Sequence, residues 1–216
     1  MKKLGLIISA VIIFNGSLCA VDEVKPKITA KRVEFRKMEN KVIFTGDVVI
    51  TRGKDTLYAD KAVKDEKESI IEAWGSVKGY FILESGETAR LKAGAARWDL
   101  ISDRIELTDS PEVVYLSAST GEVSANSDLI TMENASREVF FKGNAVISYG
   151  SNVAKSNLAR YFYNDKKIIL LRDGDRMPFI KYAGEHRGDF TADTITVYIA
   201  AKNMILEKNV ECLLYQ

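Results

Sequence analysis

Between Val42 and Ile50 apolar and polar side chains alternate, with Val42, Phe44, Gly46, Val48 and Ile50 on one parity and Ile43, Thr45, Asp47 and Val49 on the other. A period of two places each set on its own face of a β-strand. The contrast is sharper further on, where Ile105, Leu107, Pro111, Val113 and Tyr115 alternate with Glu106, Thr108, Ser110, Glu112 and Val114. Near the C-terminus Met204, Leu206, Val210, Cys212 and Leu214 share a parity against Ile205, Glu207, Asn209, Glu211 and Leu213. Turn-forming clusters separate these runs: Met38-Glu39-Asn40-Lys41, Arg52-Gly53-Lys54-Asp55, Asp65-Glu66-Lys67-Glu68, Asn134-Ala135-Ser136 and Asn164-Asp165-Lys166. Such short connections join antiparallel neighbours, because parallel strands need long crossovers. No helical stripe or low-complexity linker interrupts the pattern after the first twenty residues. The expectation is an all-β protein with one continuous domain over residues 21–216.

The strands also repeat. A small residue opens an alternating strand, a turn follows, and a second strand closes on Gly or Asn/Asp and a branched apolar residue. The opening position falls at Ala30, Ala59, Ala93, Ala125, Lys155 and Ala192, and the closing stretches include Phe44-Thr45-Gly46-Asp47-Val48, Ala73-Trp74-Gly75-Ser76-Val77, Leu107-Thr108-Asp109-Ser110-Pro111, Phe141-Lys142-Gly143-Asn144-Ala145, Leu171-Arg172-Asp173-Gly174 and Leu206-Glu207-Lys208-Asn209-Val210. A period near thirty residues signals stacked supersecondary units. Small residues suit the sharp corners of such a stack, where a larger side chain would clash. The polar residue that follows, as in Asp60 and Asp193, is suited to bonding turn amides.

Residues 1–20 read as a secretory signal peptide. Lys2 and Lys3 precede an apolar run from Leu4 to Phe14, and a small, polar tail ends at Ala20. A run of about eleven residues is short for a bilayer that needs about twenty, so cleavage after Ala20 is expected over a retained anchor. The large Leu18 before Cys19 disfavours a lipoprotein reading. Cleavage leaves Cys212 as the remaining cysteine, so no disulfide framework supports the fold. The formal net charge is +1, drawn from interspersed charges of both signs, which disfavours nucleic acid as a partner.

Catalytic readings find little to build on. The one histidine, His186, sits in the turn-like Gly184-Glu185-His186-Arg187-Gly188, so neither a His-based metal cluster nor a Ser-His triad can be assembled. Arg52-Gly53-Lys54-Asp55 resembles the end of a phosphate loop, but Val48 occupies the required first glycine and Asp55 the hydroxyl position. Asp173-Gly174-Asp175 lacks the remaining ligands of a calcium loop and reads as a turn. No enzyme, cofactor or metal site is expected.

Asn40-Lys41-Val42-Ile43-Phe44-Thr45-Gly46-Asp47-Val48-Val49-Ile50-Thr51-Arg52-Gly53, followed by Leu57-Tyr58-Ala59-Asp60-Lys61-Ala62, resembles the signature of the LptA/OstA family of periplasmic lipopolysaccharide-transport proteins. Val139-Phe140-Phe141-Lys142-Gly143-Asn144-Ala145-Val146-Ile147 resembles a second copy. The resemblance covers most of the chain after residue 20, with a departure over Ala73 to Leu100 and at Lys155. It implies an open, V-shaped β-jellyroll whose apolar groove holds the acyl chains of lipopolysaccharide or a related glycolipid. It further implies end-to-end assembly, as a head-to-tail homo-oligomer, between an inner-membrane LptC-like partner and an outer-membrane LptD-like partner. Two other readings are a membrane-anchored LptC-like component of the same system and a structural or adhesive β-solenoid with a filled interior and no lipid ligand.

Aligned inward parities select the groove candidates. The first strands contribute Ile28, Val33, Phe35, Trp98, Leu100, Ile130, Ile195 and Val197, and the second strands Phe44, Val48, Ile50, Leu107, Phe141 and Leu206. Each could equally serve as ordinary core. Trp74 lies on the parity opposite to Ala73 and Gly75 and is expected to face outward.

Overall fold

The computed structural model describes residues 25–83, 86–117, 121–184 and 187–215. The expected signal peptide and His186 lie outside them. The chain forms β1 (Lys27–Thr29), β2 (Arg32–Arg36), β3 (Lys41–Arg52), β4 (Asp55–Asp65), β5 (Ile70–Ile82), β6 (Thr88–Asp99), β7 (Arg104–Thr108), β8 (Glu112–Ser117) and β9 (Gly121–Asn126). It continues through β10 (Leu129–Glu133), β11 (Glu138–Tyr149), β12 (Asn152–Phe162), β13 (Lys167–Leu171), β14 (Phe179–Tyr182), β15 (Gly188–Thr191), β16 (Thr194–Tyr198), β17 (Asn203–Glu207) and β18 (Glu211–Leu214). Every strand pairing is antiparallel, as the short turns predict.

Two sheets result, because each pass of the chain bends once and serves both. One sheet runs β2, β3, β4, β5, β6, β7, β10, β11, β12, β13, β16 and β17. The other runs β1, β3, β4, β5, β6, β8, β9, β11, β12, β14, β15 and β18. They join along the line of bends, the spine, and face each other across an apolar interior. The hairpin turns form two rims on the opposite side, the mouth. The repeat predicts the stacked strands, and the arrangement is the V-shaped β-jellyroll that the family resemblance implies.

The repeated Gly-Asx pair makes the spine. Phe44 lies opposite Ala62 and Val48 opposite Ala59, so four steps on β3 face three on β4. The extra residue is a β-bulge that turns the strand from one sheet into the other. Gly46 and Asp47 have φ of 81° and 45°, and Gly75 and Ser76 repeat this with 78° and 47°. Asp109 with Ser110 and Lys208 with Asn209 take left-handed conformations at the same place. At Gly75 crowding adds to conformation, since a Cβ there would lie 2.8 Å from the Cβ of Asp60.

On the alternate strands the small residue comes just before the corner, and inward positions are three apart across it, as in Ala59 and Ala62 or Ala93 and Ala96. Two of the predicted corner positions are displaced. In the fourth copy Asp128 bonds the spine, its N–H donating to the Gly143 carbonyl at 2.8 Å, so the small residue is Ser127 and not Ala125. Ala125 belongs to β9, opposite Val113 and Ile147. In the fifth copy the corner is at Asn157, the small residue is buried Ser156, and Lys155 points to solvent. Both serines pass as small because their hydroxyls are satisfied locally, by the Leu129 carbonyl at 2.8 Å and the Leu158 carbonyl at 2.7 Å. The stretch from Ala73 to Leu100, which departs from the family pattern in sequence, forms β5 and β6 with a regular corner at Gly75-Ser76 opposite Gly94.

The two ends of the stack differ from its middle. Among the described residues β1 and β2 pair with β3 alone, β17 with β16 alone and β18 with β15 alone. At the C-terminal end Leu213, Leu214 and Tyr215 are exposed.

Candidate functional site

The interior between the sheets collects the predicted positions. Phe44, Val48, Ile50, Trp98, Leu100, Leu107, Ile130, Phe141 and Ile195 are buried in one continuous cluster, and Ile28, Val33, Val197 and Leu206 pack half-buried against it. Phe35 differs from expectation. It lies opposite buried Val42 and so on the inner face, yet it is 56% exposed, because no described strand continues the stack beyond β2. Trp74 faces outward as expected, with the Lys61 ammonium 6.0 Å from its ring centre.

Most of this interior is filled. Ile50, Leu91, Trp98, Ile105, Leu107 and Ile130 are all essentially inaccessible, so the N-terminal and central trough is packed like a core. Open space lies in the C-terminal third. A cavity of about 460 Å³ sits between the sheets and reaches the mouth, walled by Ile147, Ile168, Ile180, Phe190, Val197 and Met204. Tyr149, Tyr182, Tyr198, Asn152 and Lys202 surround it as well, so a largely apolar chamber carries a few polar groups. Such a chamber fits a hydrocarbon chain attached to a polar group.

Of the predicted groove residues only Val197 lines this cavity. Ile180, Tyr182 and Phe190 escape the sequence reading because the repeat breaks there. Between β13 and β14 the tight Gly-Asx bulge is replaced by an excursion over residues 172–178, held by a bridge between Asp173 and Arg176. Parity counted through that excursion carries no information. The alternation within Phe179-Ile180-Lys181 and Asp189-Phe190-Thr191 is the signal that remains.

At its inner end the cavity approaches a smaller void of about 20 Å³, which shares Ile147 and Ile168 with it and is lined by Phe141, Tyr115, Tyr161 and Tyr163. The three tyrosines pack together, Tyr115 on Tyr163 with ring centres 5.9 Å apart and Tyr161 edge-on to Tyr163 at 5.3 Å. Burial pushes all three phenols above their ordinary pKa, so they remain protonated donors. The Tyr163 hydroxyl is buried with no hydrogen-bond partner among the described residues.

Polar groups close the mouth above these rings. Glu87, on the rim of the second sheet, accepts from the Tyr115 hydroxyl, from Ser117 Oγ at 2.7 Å and from Lys166 Nζ, which comes from the opposite rim. Further toward the N-terminus Arg52 Nη1 donates to Asp103 Oδ1 at 2.7 Å across the same mouth. Asp103 also accepts from Trp98 Nε1 at 3.1 Å and Asn134 Nδ2 at 3.1 Å. A polar basin of about 730 Å³ lies among these groups, with Asp55 and Arg137 in its wall and Tyr163 at its floor. Burial raises the Asp55 carboxyl above its usual range, against the lowering effect of the Ile82 N–H that it accepts. No cluster of three or more potential metal ligands occurs among the described residues.

The family described as the LptA/(LptD N-terminal domain) LPS transport protein matches residues 27–167. Among solved structures the chain is similar to LptH from Pseudomonas aeruginosa, described as the LptA homologous periplasmic component of the conserved lipopolysaccharide transport device. That likeness has a TM-score of 0.50 at 14% identity and covers 56% of this chain and 84% of LptH, so it bears on the fold. A search of curated proteins finds no match. With the family pattern spanning well over half its length and the jellyroll built from that same repeat, the chain belongs to the LptA/LptD N-terminal domain family of lipopolysaccharide transport proteins.

Proposed function

We propose that this protein is a non-enzymatic periplasmic carrier that holds acyl chains of lipopolysaccharide, or of a related glycolipid, between its two sheets and joins end to end with similar jellyroll domains. The observation that carries the reading is the apolar cavity of about 460 Å³ that opens at the mouth. An acyl chain of a dozen carbons is worth on the order of 10 kcal/mol at about 0.8 kcal/mol per CH₂, so release into water would be too slow for transport. A carrier must pass the chain from one apolar surface to the next. The terminal strands support this, since their outer edges carry backbone groups able to pair with another sheet. Inner-membrane LptC-like and outer-membrane LptD-like proteins are the partners expected at those ends.

The test is site-specific photo-crosslinking in cells, with a benzophenone side chain at Met204, which borders the cavity, and at outward-facing Trp74 as control. Adducts with lipopolysaccharide are expected from position 204 and not from position 74. Equal labelling at both positions, or none at 204, would refute the carrier role.

A further inference from the structure

Among the described residues two charged contacts tie the rims of the trough together. Arg52 with Asp103 and Glu87 with Lys166 each join opposite sheets and are separated by 51 and 79 residues in the chain. Both reach down into the packed interior: Asp103 holds the indole of Trp98, and Glu87 with Lys166 holds the hydroxyl of Tyr115. Beneath the second contact, Tyr115, Tyr161 and Tyr163 separate the C-terminal cavity from the filled trough. A hydrocarbon chain seated in the cavity can therefore advance along the trough only if the sheets part and the rings move.

We propose that the two contacts are clasps of a gate, with the Glu87–Lys166 clasp and its three tyrosines controlling passage between the C-terminal cavity and the rest of the trough. The proposal rests on the carrier reading. Ion pairs suit the task because each partner, once released at the mouth, regains water, so opening a clasp adds little to the cost of parting the sheets. The Tyr163 hydroxyl favours the same motion. Buried and without a partner among the described residues, it gains a hydrogen bond when the rings swing toward the polar basin whose floor it forms.

Two measurements on the full chain test the gate. The first is pulsed EPR between nitroxides at Glu122→Cys and Asp165→Cys, on opposite rims, with Cys19 and Cys212 changed to Ser. The second is the rate of dansyl-undecanoic acid uptake from the cavity into the packed trough, followed by stopped-flow energy transfer from Trp98 with Trp74 changed to Phe. Lys166→Glu places two carboxylates at the clasp and should lengthen the inter-rim distance and speed uptake by roughly tenfold. The exchange Glu87→Lys with Lys166→Glu should restore both values, and Lys166→Met, which keeps the aliphatic stem, should fall between. Unchanged distances in variants that retain their circular dichroism would overturn the clasp. Longer distances without faster uptake would overturn its role as a gate. A wild-type protein whose cavity binds no probe at all, with the distances shifting as expected, would instead defeat the carrier reading and the gate with it. If Lys166→Glu does not fold, the exchange variant and Lys166→Met decide: equal distance and uptake in wild type and Lys166→Met would overturn the proposal.

Discussion

Asp55 shows how one side chain at the mouth carries a measurable cost. Its carboxyl is raised chiefly by burial, so between the ordinary aspartate pKa and the higher folded value the native state binds more protons than the unfolded one. Stability contributed by this group therefore falls as pH rises through that window and stays lost above it. Asp55→Asn keeps an oxygen for the Ile82 N–H while removing the charge. The variant is expected to have a higher urea midpoint than wild type at pH 7, with the difference vanishing near pH 3; a lower midpoint at pH 7 would contradict the account. Small polar residues at the spine follow a related logic. Ser127 and Ser156 replace alanine without an orphaned hydroxyl because a carbonyl two residues on accepts from each.

At the scale of the element, β18 decides how the C-terminal edge can be used. The Tyr215 N–H donates to the Arg187 carbonyl at 2.9 Å, so by antiparallel alternation Leu213 also points its N–H toward β15, whereas Leu214 points its own away. Proline at these neighbouring positions should therefore act differently. Leu214→Pro removes a donor from the free edge and should weaken end-to-end association, seen by sedimentation velocity as a shift toward monomer, with little change in thermal midpoint. Leu213→Pro should instead lower the midpoint by breaking an internal ladder bond. A Leu214→Pro protein that associates like wild type would count against edge pairing.

The whole molecule divides into a packed stretch and a chamber, and mutations should sort accordingly. Leu107 is fully buried at the centre, so Leu107→Asp buries a charge without a partner and should cost several kcal/mol, on the order of 4, abolishing the native circular dichroism. Val197 borders the cavity and is only half-buried, so Val197→Asp should leave the fold intact while weakening binding of dansyl-undecanoic acid by roughly tenfold. A folded Leu107→Asp protein with impaired binding, beside an unaffected Val197→Asp, would reverse the assignment of core and chamber. The charged clasps at the mouth belong to this scale too, since each exists only because distant turns face one another across the trough.

Local patterning was legible from the chain itself. The alternation of Ile105, Leu107, Val113 and Tyr115 with polar neighbours establishes strands, inner faces and antiparallel order, because side-chain direction in a strand depends only on parity. The Gly-Asx repeat marks the corners because few other residues accept left-handed backbone. Parity fails where the backbone leaves the strand, so the excursion over residues 172–178 hid Ile180, Tyr182 and Phe190, and a serine standing in for alanine displaced two corners. Which inward residues are packed and which line open space was decided by the tertiary structure alone. Parity says which way a side chain points, but the separation of two facing sheets depends on side chains from strands far apart in sequence, and only their joint packing leaves the trough closed at Trp98 and open at Val197.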